Sequence, residues 1–345
     1  MALRLHVDAG RWRRHLQATL AAAPGLVPVA KGNGYGFGIE MLAREASALG
    51  VDTVAVGTYP EVERARAFGG AVLVLSPWRP FLGVPTDDLR VLHTVSRLDD
   101  LAGLAALPHK PRVLVELLTS MRRHGIPAER LDEVGPLLDG VRFEGWTAHL
   151  PLVGDTTSEA RQLTDRARRV RPAPMWVSHV PAARLAEIGE GVRSRVGTDL
   201  WLGEPDALDV RSTVLDVHSL SPGQTFGYRQ RSLRRGGVLL VVSGGTAHGI
   251  ALAAPSAAST LRQRGIVAAE GGLQALGRAR SPFILDGRST WFAEPPHMQC
   301  SMILLPSGAP VPTPGDEVEV RVRHTITLVD EVVLHSSSLS PPTGR

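Results

Sequence analysis

The chain has 345 residues, 43% apolar and 21% charged, which fits a globular protein with a sizeable core and excludes disorder and collagen-like repeats. The formal charge is +4, yet only Lys31 and Lys110 are lysines, and the arginines are interleaved with Asp and Glu without an aromatic-rich basic run; no nucleic-acid partner is expected. One cysteine, Cys300, excludes an intrachain disulfide and gives no metal cluster.

The N-terminal residues lack the apolar core of a signal peptide. The most apolar stretch, residues 236–254, is interrupted by Ser243, Gly244, Gly245, Thr246 and His248, which argues against a membrane span. The expectation is a cytoplasmic protein with no membrane partner.

From residue 26 the chain alternates short apolar runs with helix-length amphipathic segments. Strands are expected over 26–31, 53–57, 71–75, 90–94, 112–116, 141–149, 175–178 and 192–196. Helices are expected over 39–49, 61–68 (Pro60 at its start), 98–106, 128–138, 158–170 and 182–188, while 77–88 reads as a loop. Eight strands with mostly helical connections in under 200 residues point to an α/β fold, a (β/α)8 TIM-type barrel, rather than a doubly wound sheet.

After Trp201 the texture changes. Strands over 211–218, 237–242, 301–305 and 318–322, with Gly and Pro turns, predict a smaller, mainly-β C-terminal domain. The expected division is a barrel over 1–205, a β domain over 206–335 and a Ser/Pro-rich flexible tail over 336–345, with a helical insertion within 255–278.

The chemistry concentrates in Val27-Pro28-Val29-Ala30-Lys31-Gly32-Asn33-Gly34-Tyr35-Gly36-Phe37-Gly38. Lys31 closes the first strand, at the end where a barrel carries its active site. In a chain that uses arginine almost everywhere, a surviving lysine suggests amine chemistry, because an amine loses its proton and forms a Schiff base whereas a guanidinium does not. The segment is no P-loop, since there the lysine follows the glycines and a Ser or Thr follows the lysine. The plain alternative is a flexible loop with a surface lysine.

This segment resembles the pyridoxal 5'-phosphate (PLP) signature of the alanine racemase family, in which a strand-end lysine precedes Ala-Asn-Ala-Tyr-Gly-His-Gly. The resemblance implies that Lys31 carries PLP as an internal aldimine and that Tyr35 reaches its phosphate. Glu116-Leu117-Leu118-Thr119-Ser120-Met121-Arg122-Arg123-His124-Gly125 is similar to the family's Thr-Gly-Met-Gly-Arg-Leu-Gly segment. Arg123 then takes the arginine position beside the substrate carboxylate. Glu116 stands where the family often has a carbamylated lysine, and supplies the same negative charge. Ala148-His149-Leu150 and Ser178-His179 match histidines that end the sixth and seventh strands behind the cofactor ring.

Ser194-Arg195-Val196-Gly197-Thr198-Asp199-Leu200-Trp201-Leu202-Gly203 resembles Arg-Phe/Pro-Gly-Ile-Ala-Leu-Tyr-Gly. Arg195 would face the pyridine nitrogen, and the backbone of Gly197 and Thr198 would serve the phosphate. Gly223-Gln224-Thr225-Phe226-Gly227-Tyr228 resembles Gly-Glu-x-Val-Ser-Tyr, whose tyrosine is the second catalytic base, delivered by a partner subunit. Met298, in His297-Met298-Gln299, resembles the family's Cys-Met-Asp-Gln, which lines the substrate pocket.

Departures are present. Pro181-Ala182-Ala183 replaces an Asn-Ser pair that binds phosphate, Gly245-Thr246-Ala247-His248-Gly249 replaces Gly-Tyr-Ala-Asp-Gly, and no tyrosine follows Tyr228. The resemblance implies a PLP-dependent amino-acid racemase using two bases, Lys31 and Tyr228, in a homodimer with shared active sites. The alternatives are another barrel PLP enzyme (a D-amino-acid dehydratase or aldolase, or a decarboxylase) and a non-catalytic PLP-binding homologue. No metal is expected.

Overall fold

A computed structural model of the chain describes residues 2–83, 86–252, 279–305 and 308–336. The insertion expected within 255–278 and the tail from 337 onward lie outside the described residues. Two compact units are formed, one of Arg13–Gly203 and one of Met1–Trp12 with Glu204–Arg345.

The chain opens with strand β1 (Leu3–Asp8) and helix α1 (Ala9–Ala22), followed by strand β2 (Val27–Pro28), helix α2 (Ile39–Ala48), strand β3 (Thr53–Val56) and helix α3 (Pro60–Arg64). Strands β4 (Ala71–Val74) and β5 (Val91–Val95), helix α4 (Leu98–Ala105), and strands β6 (Arg112–Leu117) and β7 (Arg142–His149) come next. Helix α5 (Thr156–Val170), strands β8 (Met175–Ser178) and β9 (Val192–Val196), and the single turn α6 (Thr198–Trp201) complete the first unit.

Strands β2 to β9 form one parallel eight-stranded sheet in the order β2-β9-β8-β7-β6-β5-β4-β3. The ring closes through the parallel bridge Val29↔Ala55 and the bond from Ala30 N to Ala55 O, 2.7 Å. The expected barrel is therefore present. Two of its expected helices are not α-helical: Ala128–Glu133 with Gly135–Gly140, and Ala182–Glu187, are 3₁₀ turns. Pro127 and Pro136 lie in or beside the first pair and Pro181 precedes the second, and proline removes the N–H that an α ladder requires.

Strand parity decides what the barrel encloses. Val27, Val29, Ala55, Leu73, Leu92, Leu114 and Trp176 pack as one buried cluster inside the ring. Because successive strand residues point to opposite faces, Lys31, Gly57, Glu116, Ser178 and Arg195 continue this inward set toward the C-terminal ends. Thr147 pairs with Trp176 and His149 with Ser178, so His149 belongs to it as well.

In the second unit β10 (Leu208–Leu220), β11 (Thr225–Phe226), β12 (Arg231–Ser232) and β13 (Gly237–Ser243) precede β14 (Arg280–Leu285), β15 (Arg288–Phe292), β16 (Cys300–Leu304), β17 (Glu317–Val320) and β18 (Glu331–His335). The pairings β13-β16-β15-β14-β17-β10, with β10 returning to β13, close a six-stranded antiparallel barrel. Strand β1 extends this sheet, antiparallel to β10 and parallel to β18. The expectation of a barrel starting at residue 1 is thus corrected: the first twelve residues lie in the β-rich unit. Their partners, 208–212 and 331–335, are roughly 200 residues or more away, beyond what local pattern reports. Among the described residues, no helix is long and apolar enough to cross a membrane.

Candidate active site

Lys31 lies just past β2, at the C-terminal mouth of the parallel barrel. The other lysine, Lys110, precedes β6 at the opposite end and donates to Asp139 O at 3.0 Å. The two rare lysines therefore differ in setting, and only Lys31 is at the end where such barrels carry their chemistry. Lys31 keeps solvent access, yet its pKa is lowered, first by the desolvation of its partly enclosed ammonium and then by Arg123 and Arg195; Glu61 opposes the shift. Glu61 itself is fastened by backbone amides, accepting from Gly32 N at 2.9 Å and from Gly57 N at 2.6 Å. Sequence reading missed this residue, although a glutamate just after Pro60 at a helix start is a capping signal.

Arg195 is buried and completes the inward layer. Its Nη2 donates to Ala148 O at 2.8 Å, while its Nε is buried without a hydrogen-bond partner. Burial lowers its pKa to about 10, with Glu116 opposing and Arg123 adding to the fall, so it stays a cation at neutral pH. Glu116 is buried too. Its pKa is raised by desolvation, against the pull of Arg195, Arg123 and Arg79, and its Oε2 lacks a partner. Burial pushes both groups toward neutrality, and the charge of each opposes that shift in the other. Arg123 follows β6 in an exposed loop, with no ion-pair partner among the described residues.

His149 and His179 meet edge to face with ring centroids 5.0 Å apart. The Nδ1 of His149 is 3.0 Å from Ser178 Oγ, and His179 Nδ1 donates to Leu150 O at 2.7 Å. His149 is held neutral, its pKa lowered to about 3 by burial and then by Arg195, Arg123, His179 and Lys31. It serves as an uncharged hydrogen-bonding group at neutral pH.

Tyr35 is buried with its backbone at φ 56, where the Asn33 side chain accepts from its amide at 3.1 Å. Burial, then Asp199, raises its phenol to about 12, so the hydroxyl remains a donor. That hydroxyl rests against Gly197: a Cβ there would lie 2.0 Å from Tyr35 Oη and 2.8 Å from Cζ. Thr198 begins α6 beside this contact and is exposed, and Trp201 Nε1 ties α6 to β2 by donating to Val29 O at 2.8 Å. Arg122 (φ 54) and His179 (φ 59) share the left-handed backbone of Tyr35. Non-glycine residues pay a conformational cost there, and all three follow barrel strands at the mouth.

Tyr228 and Met298 lie in the β-rich unit. Tyr228 occupies the loop between β11 and β12 and is 85% exposed; Met298 precedes β16 and is also exposed. The backbone amide of Tyr228 donates to Glu294 Oε2 at 2.9 Å, and its ring packs on His297 at 4.8 Å. His248 is occupied structurally, with Gly245 N donating to its Nδ1 at 3.2 Å and its Nε2 lying 3.1 Å from Asp330. A cavity of about 1000 Å³ opens in this unit beside Arg229, Arg280, Arg321 and Arg323, but it is lined by neither a lysine nor a tyrosine. Chemistry, not cavity size, therefore singles out the barrel mouth. Among the described residues no group of His, Cys, Asp and Glu has the arrangement of a metal site.

The chain is similar to known proteins in sequence and in fold. Residues 7–178 match the family model described as alanine racemase, N-terminal domain. The chain is 30% identical over 223 residues to the alanine racemase of Deinococcus deserti, an alignment covering 59% of this chain and 62% of that one. It is 29% identical over 230 residues to an alanine racemase of Campylobacter jejuni, covering 62% and 68%. The chain thus spans somewhat less than two thirds of the Deinococcus protein's length. Similar solved structures include the alanine racemase from Bartonella henselae with covalently bound pyridoxal phosphate (TM-score 0.70, 16% identity, 94% of this chain and 91% of that one). The alanine racemase from D-cycloserine-producing Streptomyces lavendulae matches at TM-score 0.70 and 16% identity over 98% of both chains. At such identities the likeness is one of fold.

Proposed function

Because the chain belongs to the alanine racemase family, we propose that it is a PLP-dependent amino-acid racemase working through two bases, with alanine as its substrate and a homodimer as its working form. The observation that carries the reading is the buried, unpartnered Nε of Arg195 in the same inward layer as a lysine of lowered pKa.

The residues at the mouth fit the cofactor. Leaving the Arg195 Nε–H unsatisfied in a buried site is costly, by about 1–3 kcal/mol, and a ring nitrogen is an acceptor that would satisfy it. The close approach of Tyr35 to Gly197 forms a wall that a side chain at 197 would fill. Lys31 would hold the group covalently, Arg195 its ring nitrogen, His149 and His179 its ring from behind, and Tyr35 with the backbone of Gly197 and Thr198 its phosphate. PLP supplies an electron sink for charge that develops at the substrate Cα.

The chain's own residues do the rest. Lys31, partly desolvated and beside two guanidiniums, gives up its proton more readily than an ordinary lysine, which suits it to take and return the Cα proton on one face. Tyr228 of a second copy would do so on the other face. Arg123, supported by the negative charge of Glu116, would bind the substrate carboxylate, and Met298 would line the pocket. Arg195, a lasting cation, would not protonate a ring nitrogen bound against it, and the weaker sink this would leave would favour simple proton movement over bond-breaking chemistry.

Borohydride reduction in the presence of PLP, followed by peptide mass mapping, is expected to place a pyridoxyl adduct on Lys31. A protein that takes up no PLP, or an adduct on Lys110, overturns the reading. In Tyr228→Phe, solvent-deuterium exchange at Cα should vanish for one enantiomer only; exchange unchanged for both removes Tyr228 from the mechanism.

A further inference from the structure

Glu294 lies outside the motifs that carry the family resemblance, yet it is only 4% exposed and joins the Tyr228 turn through one carboxylate oxygen and His297 through the other. Oε2 accepts from the Tyr228 backbone amide at 2.9 Å, and Oε1 is 2.7 Å from His297 Nε2. His297 stands where the resembled Cys-Met-Asp-Gln segment has its cysteine, and its ring lies against that of Tyr228, centroids 4.8 Å apart at 43°. The backbone of His297 is held on both sides, its amide donating to Cys300 O at 2.9 Å and its carbonyl accepting from Thr246 N at 2.9 Å. Gly227 makes room for this arrangement: it has φ +71, and a Cβ there would lie 2.3 Å from Glu294 Oε2. A neighbouring tether, Arg231 Nη1 to Ala293 O at 3.0 Å, joins the hairpin to the same segment.

An exposed hairpin loop needs no buried carboxylate for its own stability, and burying one is unfavourable unless its oxygens are bonded. Here the bonds fasten the backbone and one ring face of the residue read as the second base. We propose that Glu294 is the positioning residue of Tyr228, acting directly on its amide and through His297 on its ring. This rests on the reading of Tyr228 as the opposite-face base. Without the clamp, an 85% exposed tyrosine is free to turn about both side-chain torsions. Proton transfer needs the phenol oxygen within hydrogen-bond reach of Cα, and a displacement of about 1 Å can cost about a hundredfold in rate.

The test compares Glu294→Ala, Glu294→Gln, His297→Phe and, as reference, Tyr228→Phe in the PLP-loaded enzyme. Racemisation of L- and D-alanine is measured with and without deuterium at Cα. Glu294→Ala is expected to lower kcat by roughly 10- to 100-fold with KM within about twofold. The Cα-deuterium isotope effect should rise only for the enantiomer whose proton passes to Tyr228. Glu294→Gln keeps an acceptor for the Tyr228 amide and a hydrogen-bonding group toward His297, so it should recover most of the rate. His297→Phe keeps ring contact without the tether and should fall between, which provides a second probe if Glu294→Ala does not fold.

The proposal is overturned if Glu294→Ala and His297→Phe keep the parental kcat, if the loss leaves both isotope effects unchanged or raises them equally, or if Gln is no better than Ala. Parental exchange in Tyr228→Phe signals instead that the underlying reading has failed. Loss of exchange there, beside unaffected Glu294 and His297 variants, removes the positioning role alone.

Discussion

The Tyr35–Gly197 contact yields a quantitative prediction for Gly197→Ala. The new methyl carbon would lie 2.0 Å from Tyr35 Oη, against an ordinary contact of about 3.4 Å, so the phenol or the loop must move by about 1.4 Å (3.4 − 2.0). Tyr35 has little freedom to recoil, being buried, at φ 56, and anchored through its amide to Asn33. Forced overpacking of this kind costs about 1–3 kcal/mol. For a unit of roughly 190 residues that is a fall in melting temperature of roughly 2–12 °C. The same shift carries the Tyr35 hydroxyl away from the proposed phosphate position, so PLP affinity should fall along with stability.

The assay is thermal unfolding of the PLP-free protein together with a PLP titration, run on Gly197→Ala, Tyr35→Phe and the double variant. Removing the hydroxyl leaves Cζ, 2.8 Å away, as the nearest obstacle, so the double variant should be less destabilised than the two single losses summed. An unchanged melting temperature in Gly197→Ala, or strictly additive losses, would refute the steric reasoning.

Acid should destabilise the barrel through its buried histidines. His93, whose Nδ1 is 2.9 Å from Tyr59 Oη, has its pKa lowered to about 4 by burial and then by His109. Its contribution is therefore full above the unfolded value near 6.5 and is lost as pH falls toward 4, on the order of 3 kcal/mol. Urea unfolding of the parent and of His93→Phe across that range should show the difference shrinking by this amount. The comparison isolates His93 because the other shifted groups, His149 and Glu116 among them, are common to both proteins and cancel in the difference; parallel pH curves would contradict the assignment. A further test concerns the buried charges. Arg195→Leu removes the charge that most opposes the burial of Glu116 and should lower stability in urea unfolding, whereas Arg195→Leu with Glu116→Leu should regain much of the loss. A double variant no more stable than the single would show that the two charges are not coupled.

Much of the barrel and its mouth was legible in the residue order, since apolar period and strand-end position are local properties. The alternation over 26–196 carries the eight parallel strands, and the scarcity of lysine singles out Lys31 in a chain of arginines. The assignment of β1 to the β-rich sheet was not legible, because backbone pairing over roughly 200 residues leaves no trace in a local window. Nor were the partners of the site residues. Glu61 under Gly32 and Gly57, Ser178 against His149, and Glu294 with His297 around Tyr228 depend on register and on which side chains two distant backbones bring within hydrogen-bond reach. The electrostatics belong to the same category: the lowered pKa of Lys31 and the neutral state of His149 arise from burial and from charges on neighbouring strands. The sequence by itself determined which candidate residues the chain carries and that Lys31 ends a strand at the mouth of a parallel barrel. Only the tertiary structure decided how each group is held, charged and oriented, because desolvation and close contact exist only once the strands have closed.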